Sequence, residues 1–128
     1  TKTIFNDCLQ VGYCCWVIER GDTLVGYGVM SVAVGESHLL NLCVHPDYQS
    51  IGLGRMLLSH LLEIAVERYA NMTFLEVRPS NFSAIKLYLE NGFDEIGVRR
   101  NYYPAKMGQR EDALILARTV VRGDEFSE

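Results

Sequence analysis

The order of its segments predicts an α/β (α+β) fold, a mixed sheet covered by helices, and three observations carry that prediction. Strand-like runs at both ends enclose two amphipathic helical stretches with one strand between them. A turn containing Gly52 and Gly54 opens the first helical stretch, so a strand, a glycine turn and a helix follow one another. At 128 residues, with 48% hydrophobic and 22% charged positions, the chain fits one globular domain able to bury roughly two-thirds of its unfolded surface. That domain is assigned to residues 1–120, and residues 121–128, which include "RGDEFSE", to a polar, frayed tail.

Taken in order, residues 1–9 read as the end of a helix, with Ile4, Phe5 and Cys8 on one face. "VGYCCWVIER" and "LVGYGVMSVAV" are rich in strand formers, and the Gly21-Asp22 pair between them is a hairpin signal. "HLLNLCV" reads as a buried third strand stopped at Pro46; Pro79 after "TFLEVR" and Pro104 after "VRRNYY" act in the same way. Leu53, Met56, Leu57, Leu61, Ile64 and Ala65 keep helical spacing, with Arg55, Ser59, Glu63 and Glu67 largely opposite, which predicts a helix of about four turns. "TFLEVR" is the next strand. "SNFSAIKLYLENG" is a second helix, with Ser80 or Asn81 as N-cap and Gly92 at its C-terminal cap. "FDEIGVRRNYY" and "EDALILA" make a final strand pair.

Composition removes several function classes. No apolar run approaches the roughly 20 residues of a membrane span, and "TKTIFNDCLQ" lacks the basic-then-apolar plan of a signal peptide. A soluble, cytoplasmic protein, monomeric and without a membrane partner, is expected. The start at Thr1 leaves room for a preceding segment. Cys8, Cys14, Cys15 and Cys43 lack the paired spacing of a zinc site and read as small buried hydrophobes. His38, His45 and His60 have no carboxylate or second histidine at ligand spacing, so no metal is assigned. A net charge of −4 disfavours an extended nucleic-acid surface, with Arg99 and Arg100 as local basic spots only.

The glycine turn presents backbone N–H groups at a positive helix end, a niche for phosphate. The dinucleotide fingerprint needs a third glycine where Leu57 stands, and the nucleotide P-loop needs Gly-Lys-Ser/Thr where the chain has Gly54-Arg55-Met56. What remains, Gln49-Ser50-Ile51-Gly52-Leu53-Gly54, resembles the Gln/Arg-x-x-Gly-x-Gly/Ala pyrophosphate loop of the GCN5-related N-acetyltransferases (GNAT). The resemblance extends through "LNLCVHPDYQSIGLGRMLL", "FLEVRPSNFSAIKLYLENGF" and "RRNYYPAKMGQREDALILA", which look like successive blocks of the RimI-type branch, the ribosomal-protein-alanine N-acetyltransferases. Members of that branch begin with a further strand and helix.

That resemblance implies a GNAT fold: a mostly antiparallel mixed sheet, helices on both faces, and a splayed strand pair that holds acetyl-CoA. It implies that Leu42, Cys43 and Val44 pair with the pantetheine arm, that Gln49, Ser50, Ile51, Gly52, Leu53, Gly54 and Arg55 hold the diphosphate, and that Asn81 adds a side-chain contact. It makes Glu76 the general base, acting through water, and Tyr88 the general acid for the CoA thiolate. Tyr102, Tyr103 and Asp112 are the implied peptide contacts. From the residues alone, Leu42–Val44 also suit an ordinary core strand, Glu76 an ion pair with Arg78 or another arginine, Tyr88 a core position, and the tyrosine hairpin a sheet edge.

The implied reaction is direct transfer of acetyl to a protein N-terminal amine, with alanine of a small-subunit ribosomal protein as target. An α-amine of pKa about 8 needs about one unit of help at pH 7, whereas lysine at about 10.4 needs more than three, each about 1.4 kcal/mol. The rival readings are an acetyltransferase acting on lysine or a small amine, and an acyl-CoA-binding module that has lost catalysis.

Overall fold

In a computed structural model, residues 2–6, 13–49 and 52–119 are described. Seven strands, β1 (Lys2–Asn6), β2 (Tyr13–Arg20), β3 (Thr23–Ala33), β4 (Glu36–Val44), β5 (Met72–Val77), β6 (Asp94–Pro104) and β7 (Arg110–Thr119), form one sheet in the order β1-β2-β3-β4-β5-β7-β6. Helix α1 (Leu53–Glu67) joins β4 to β5, and α2 (Phe82–Glu90) joins β5 to β6. Among the described residues only β4 and β5 pair in parallel. The sheet is therefore mixed and mostly antiparallel, as expected.

Local chemistry explains most boundaries. Gly21 takes φ +61° between the paired Arg20 and Thr23, the positive φ a tight hairpin requires. β4 ends at Val44 and Pro46 opens a 3₁₀ turn; β5 ends two residues before Pro79, and Pro104 is the last residue of β6. Asn81 caps α2 by accepting the Ala84 N–H at 3.3 Å, and Gly92 beyond its end has φ +89°. Residues 2–6, expected to end a helix, instead form β1 on β2; Cys8 and the tail lie outside the described residues.

α1 runs just over four turns and buries Leu53, Leu57, Leu58, Leu61, Leu62 and Ala65. The stripe is shifted from the expected one: Leu58 and Leu62 are buried, while Met56 and Ile64 are only half-buried. The helix lies close to β3, because a Cβ on Gly28 would stand 2.7 Å from Leu61 Cδ1. Leu58, Leu61 and Leu62 of α1 share one core with Tyr88 of α2 and with Met30, Leu39, Leu75, Val77 and Leu116 of the sheet. Both described helices thus pack on the same sheet face, and the expectation of helices on both faces does not hold among the described residues. Both connections advance in one direction across the sheet, and β5 is parallel to β4 and β6, so right-handed crossovers place both helices on one side.

That arrangement also corrects the cysteine reading. Cys14 faces the core and is buried, Cys15 is half-buried, and Cys43 is exposed.

The parallel pairing of β4 with β5 runs from Glu36↔Met72 to Leu39↔Leu75 and stops there, although β4 continues to Val44 and β5 to Val77. Register against β3 shifts just beyond, from Met30↔Leu39 to Val29↔Asn41, so Leu40 is an extra residue on β4. The two strands splay apart at the centre of the sheet.

Candidate active site

A cavity of about 240 Å³ opens in that splay. Leu39 and Leu75, the last paired residues, lie at its closed end, and Leu42, Glu76, Asn81, Tyr88 and Tyr103 line it further out. Past Leu39, backbone groups of β4 that would have met β5 are left without a strand partner. These can meet an extended ligand arm as another strand would. Leu42 lines the cavity and Val44 lies against Gly54, whereas Cys43 is not among the lining residues and its thiol donates to Asn41 Oδ1 at 3.1 Å.

The glycine turn stands at the open end of β4. Gly52 adopts φ +89° and ψ 4°, a left-handed conformation, and a Cβ there would meet nothing within 4 Å. Met56 N–H is the first to find a helical carbonyl, Gly52 O at 3.1 Å, so the N–H groups of Leu53, Gly54 and Arg55 precede the ladder. Open space, a glycine backbone and these donors suit a diphosphate. Gln49 ties the turn to β4 by donating its side-chain amide to Val44 O at 3.0 Å; Ser50 and Ile51 lie outside the described residues. The Arg55 side chain pairs with Glu90 Oε1 at 2.9 Å and bridges α1 to α2, so its backbone N–H is its contribution to this niche.

Alternation along β5 sends Leu75 and Val77 toward the helices and Glu76 and Arg78 to the other face. Glu76 nevertheless reaches the cavity, with its Oε2 2.6 Å from Arg99 Nε. The arginine partner is thus Arg99, not Arg78, which donates to Pro104 O at 2.9 Å and pairs with Glu111 at 3.3 Å. Tyr88 is buried against Phe93, ring edge to face at 5.7 Å, yet also lines the cavity. Burial, with smaller effects of the Cys43 thiol and Tyr103, pushes its hydroxyl up to about 12, so it holds its proton across the neutral range. Its ring belongs to the core, so the core reading holds, and the same side chain also lines the cavity.

Of the three residues expected in the peptide groove, only Tyr103 lines the cavity. Tyr102 stands beside it, ring edge to face at 4.9 Å, with Arg99 at 5.3 Å from its own ring. The Asp112 carboxylate accepts the Asn101 N–H at 2.9 Å and serves the β6–β7 ladder. Sequence points to Arg78 or another arginine only as an ion-pair partner of Glu76, and to Arg99 only as a local basic spot; Glu111 carries no such signal. His38 pairs with Glu36, His45 caps the Pro46 turn, and His60 stacks on Trp16. Among the described residues no three His, Cys, Asp or Glu side chains gather as a metal site.

A splayed parallel pair, a glycine turn on the following helix and a carboxylate and tyrosine in the gap define an acetyl-CoA-dependent N-acyltransferase. The chain belongs to the acetyltransferase (GNAT) family, whose model matches residues 2–93. It is 43% identical over 105 residues to the ribosomal protein bS18-alanine N-acetyltransferase of Escherichia coli (strain K12), covering 82% of this chain and 70% of the relative. The crystal structure of the ribosomal-protein-S18-alanine N-acetyltransferase from Escherichia coli superposes with a TM-score of 0.81 at 39% identity, over 93% of this chain and 76% of that one. A GNAT family acetyltransferase from Elizabethkingia anophelis with acetyl-CoA bound shares the fold at a TM-score of 0.74 and 19% identity, over 84% and 76%.

Proposed function

We propose that this protein transfers acetyl from acetyl-CoA to a protein N-terminal α-amine, that of alanine at the start of a small-subunit ribosomal protein of the bS18 kind. Residues 1–120 act as one catalytic domain, as a monomer in the cytoplasm. The observation that carries the reading is that Glu76 and Tyr88, on opposite sides of β5, line one cavity. Likeness to relatives named for alanine N-acetylation supports the choice of amine.

Acetyl-CoA supplies an activated acyl group and a thiol leaving group. The N–H groups of the Gly52–Arg55 turn and the side chain of Asn81 hold its polar parts, and the open edge of β4 around Leu42–Val44 aligns the arm and polarises the carbonyl. Glu76 takes a proton from the incoming ammonium through water, the free amine attacks the carbonyl as the C–S bond breaks, Tyr88 gives its proton to the departing sulfur, and the second proton lost from the nitrogen restores the phenol. Tyr103, with Tyr102 and Asp112 beside it, receives the peptide. The test is a panel of peptides beginning Ala, Ser and Leu, with an N-terminally blocked peptide carrying an internal lysine. Higher kcat/KM for the alanine peptide supports the reading, and equal use of the blocked lysine peptide refutes it.

A further inference from the structure

Besides the β5–β7 ladder and the Glu76–Arg99 pair, the Glu111 carboxylate ties the β6–β7 hairpin to the segment between β5 and α2. Glu111 Oε2 accepts the Ser80 N–H at 3.0 Å, and its Oε1 lies 3.3 Å from Arg78 Nη1. The same Arg78 nitrogen donates to Pro104 O at 2.9 Å, and the guanidinium carbon stands 4.4 Å from the centre of the Tyr103 ring. Tyr103 is the cross-strand partner of Glu111. Ser80 precedes Asn81, whose N–H bonds Arg78 O at 3.0 Å and whose side chain caps α2. Glu111 therefore touches, directly or through one residue, Tyr103 on the peptide side and Asn81 on the acyl-donor side.

We propose that Glu111 is a positioning residue for peptide recognition: it fixes the Arg78 guanidinium against Tyr103 and so holds that ring in the cavity wall. This rests on the function proposed above. A planar guanidinium held by a carboxylate and a carbonyl has little freedom left, and its flat face fixes the ring plane. Hydrogen bonds from Ser80, and then Arg78, hold the Glu111 carboxyl below the usual carboxylate range, so the ionised form is the one that builds the clamp.

The test is a double-mutant cycle. Glu111→Gln should raise the peptide KM about tenfold, while kcat and the acetyl-CoA KM stay within about twofold. Tyr103→Ala should also raise the peptide KM, and adding Glu111→Gln to it should add nothing. Additive effects, or an acetyl-CoA KM that rises in step, would overturn the proposal. Arg78→Lys, which keeps the charge but loses the planar face, should reproduce the Glu111→Gln result and serves if that variant folds poorly. Tyrosine-ring NMR separates this proposal from the substrate assignment. The Tyr103 signals should shift in Glu111→Gln whichever amine is used, and unchanged signals would overturn the clamp.

Discussion

Replacing Tyr88 with phenylalanine removes one oxygen from the cavity and leaves the ring packed on Phe93. With the hydroxyl near 12, about one molecule in 10⁴ has lost that proton at pH 8, so the phenol keeps its proton throughout the working range. Complete transfer to a thiolate of pKa about 8.5 would be uphill by about 4.8 kcal/mol, against about 2 kcal/mol for an unperturbed tyrosine. The burial that raises the phenol acts on the departing thiolate too, and narrows the gap where the proton moves. Tyr88→Phe should lower kcat by about 10²-fold or more and leave acetyl-CoA affinity nearly unchanged. Thiol release measures the first and calorimetry the second; a kcat within about threefold of the parent would refute the assignment. A second readout follows from linkage. The folded chain holds the phenol proton more tightly than the unfolded chain, so this stabilisation is complete below pH 10 and is lost as pH rises from 10 to about 12. At pH 11 the parent should have lost about 1.4 kcal/mol that Tyr88→Phe does not lose, read by urea unfolding at pH 9 and 11.

Glu76→Gln is near-isosteric and should lower kcat by about 10²-fold or more while acetyl-CoA binding holds; full turnover at pH 7 with the parent pH profile would make Glu76 structural. Gly54→Glu should abolish acetyl-CoA binding in calorimetry by placing bulk and negative charge at the helix end, while Gly54→Ala, whose Cβ would meet Leu87 Cδ2 at an ordinary 3.4 Å, should bind and fold normally. Tyr103→Ala should weaken peptide use more than acetyl-CoA binding, and the parent should prefer Ala or Ser to Leu at the first position. Equal effects on the two substrates would remove Tyr103 from the peptide groove.

What could be read in advance was what neighbouring residues decide among themselves. Gly21-Asp22, Pro46, Asn81 and Gly92 each act within a few residues, and each stands where expected. Ile4, Phe5 and Cys8 have helical spacing, but residues 2–6 gain their hydrogen bonds from β2, a partner that spacing cannot reveal. Glu76 was legible as a carboxylate in an apolar strand, but its partner Arg99 comes from β6, brought near by β7, which pairs with both β5 and β6. Leu58, Leu62 and the exposure of Cys43 depend on which face the helices cover, and that is a property of the whole sheet.

The two faces of the sheet at the splay differ in character. On one side lie α1, α2 and the glycine turn, with N–H groups facing outward; on the other lie Glu76, Arg99 and the tyrosine hairpin. Strand alternation enforces this separation, since Leu75 and Val77 can face the helices only if Glu76 and Arg78 face away. On the proposed reading an anionic acyl donor enters beside the helix end and an amine enters from the carboxylate side, so neither has to leave before the other arrives. Direct attack then requires no covalent relay. Cys43, whose thiol is engaged with Asn41 Oδ1, has no step to perform in that route. On that reading, the same unpaired stretch of β4 that would be a liability in a closed sheet serves the acyl donor as its missing strand.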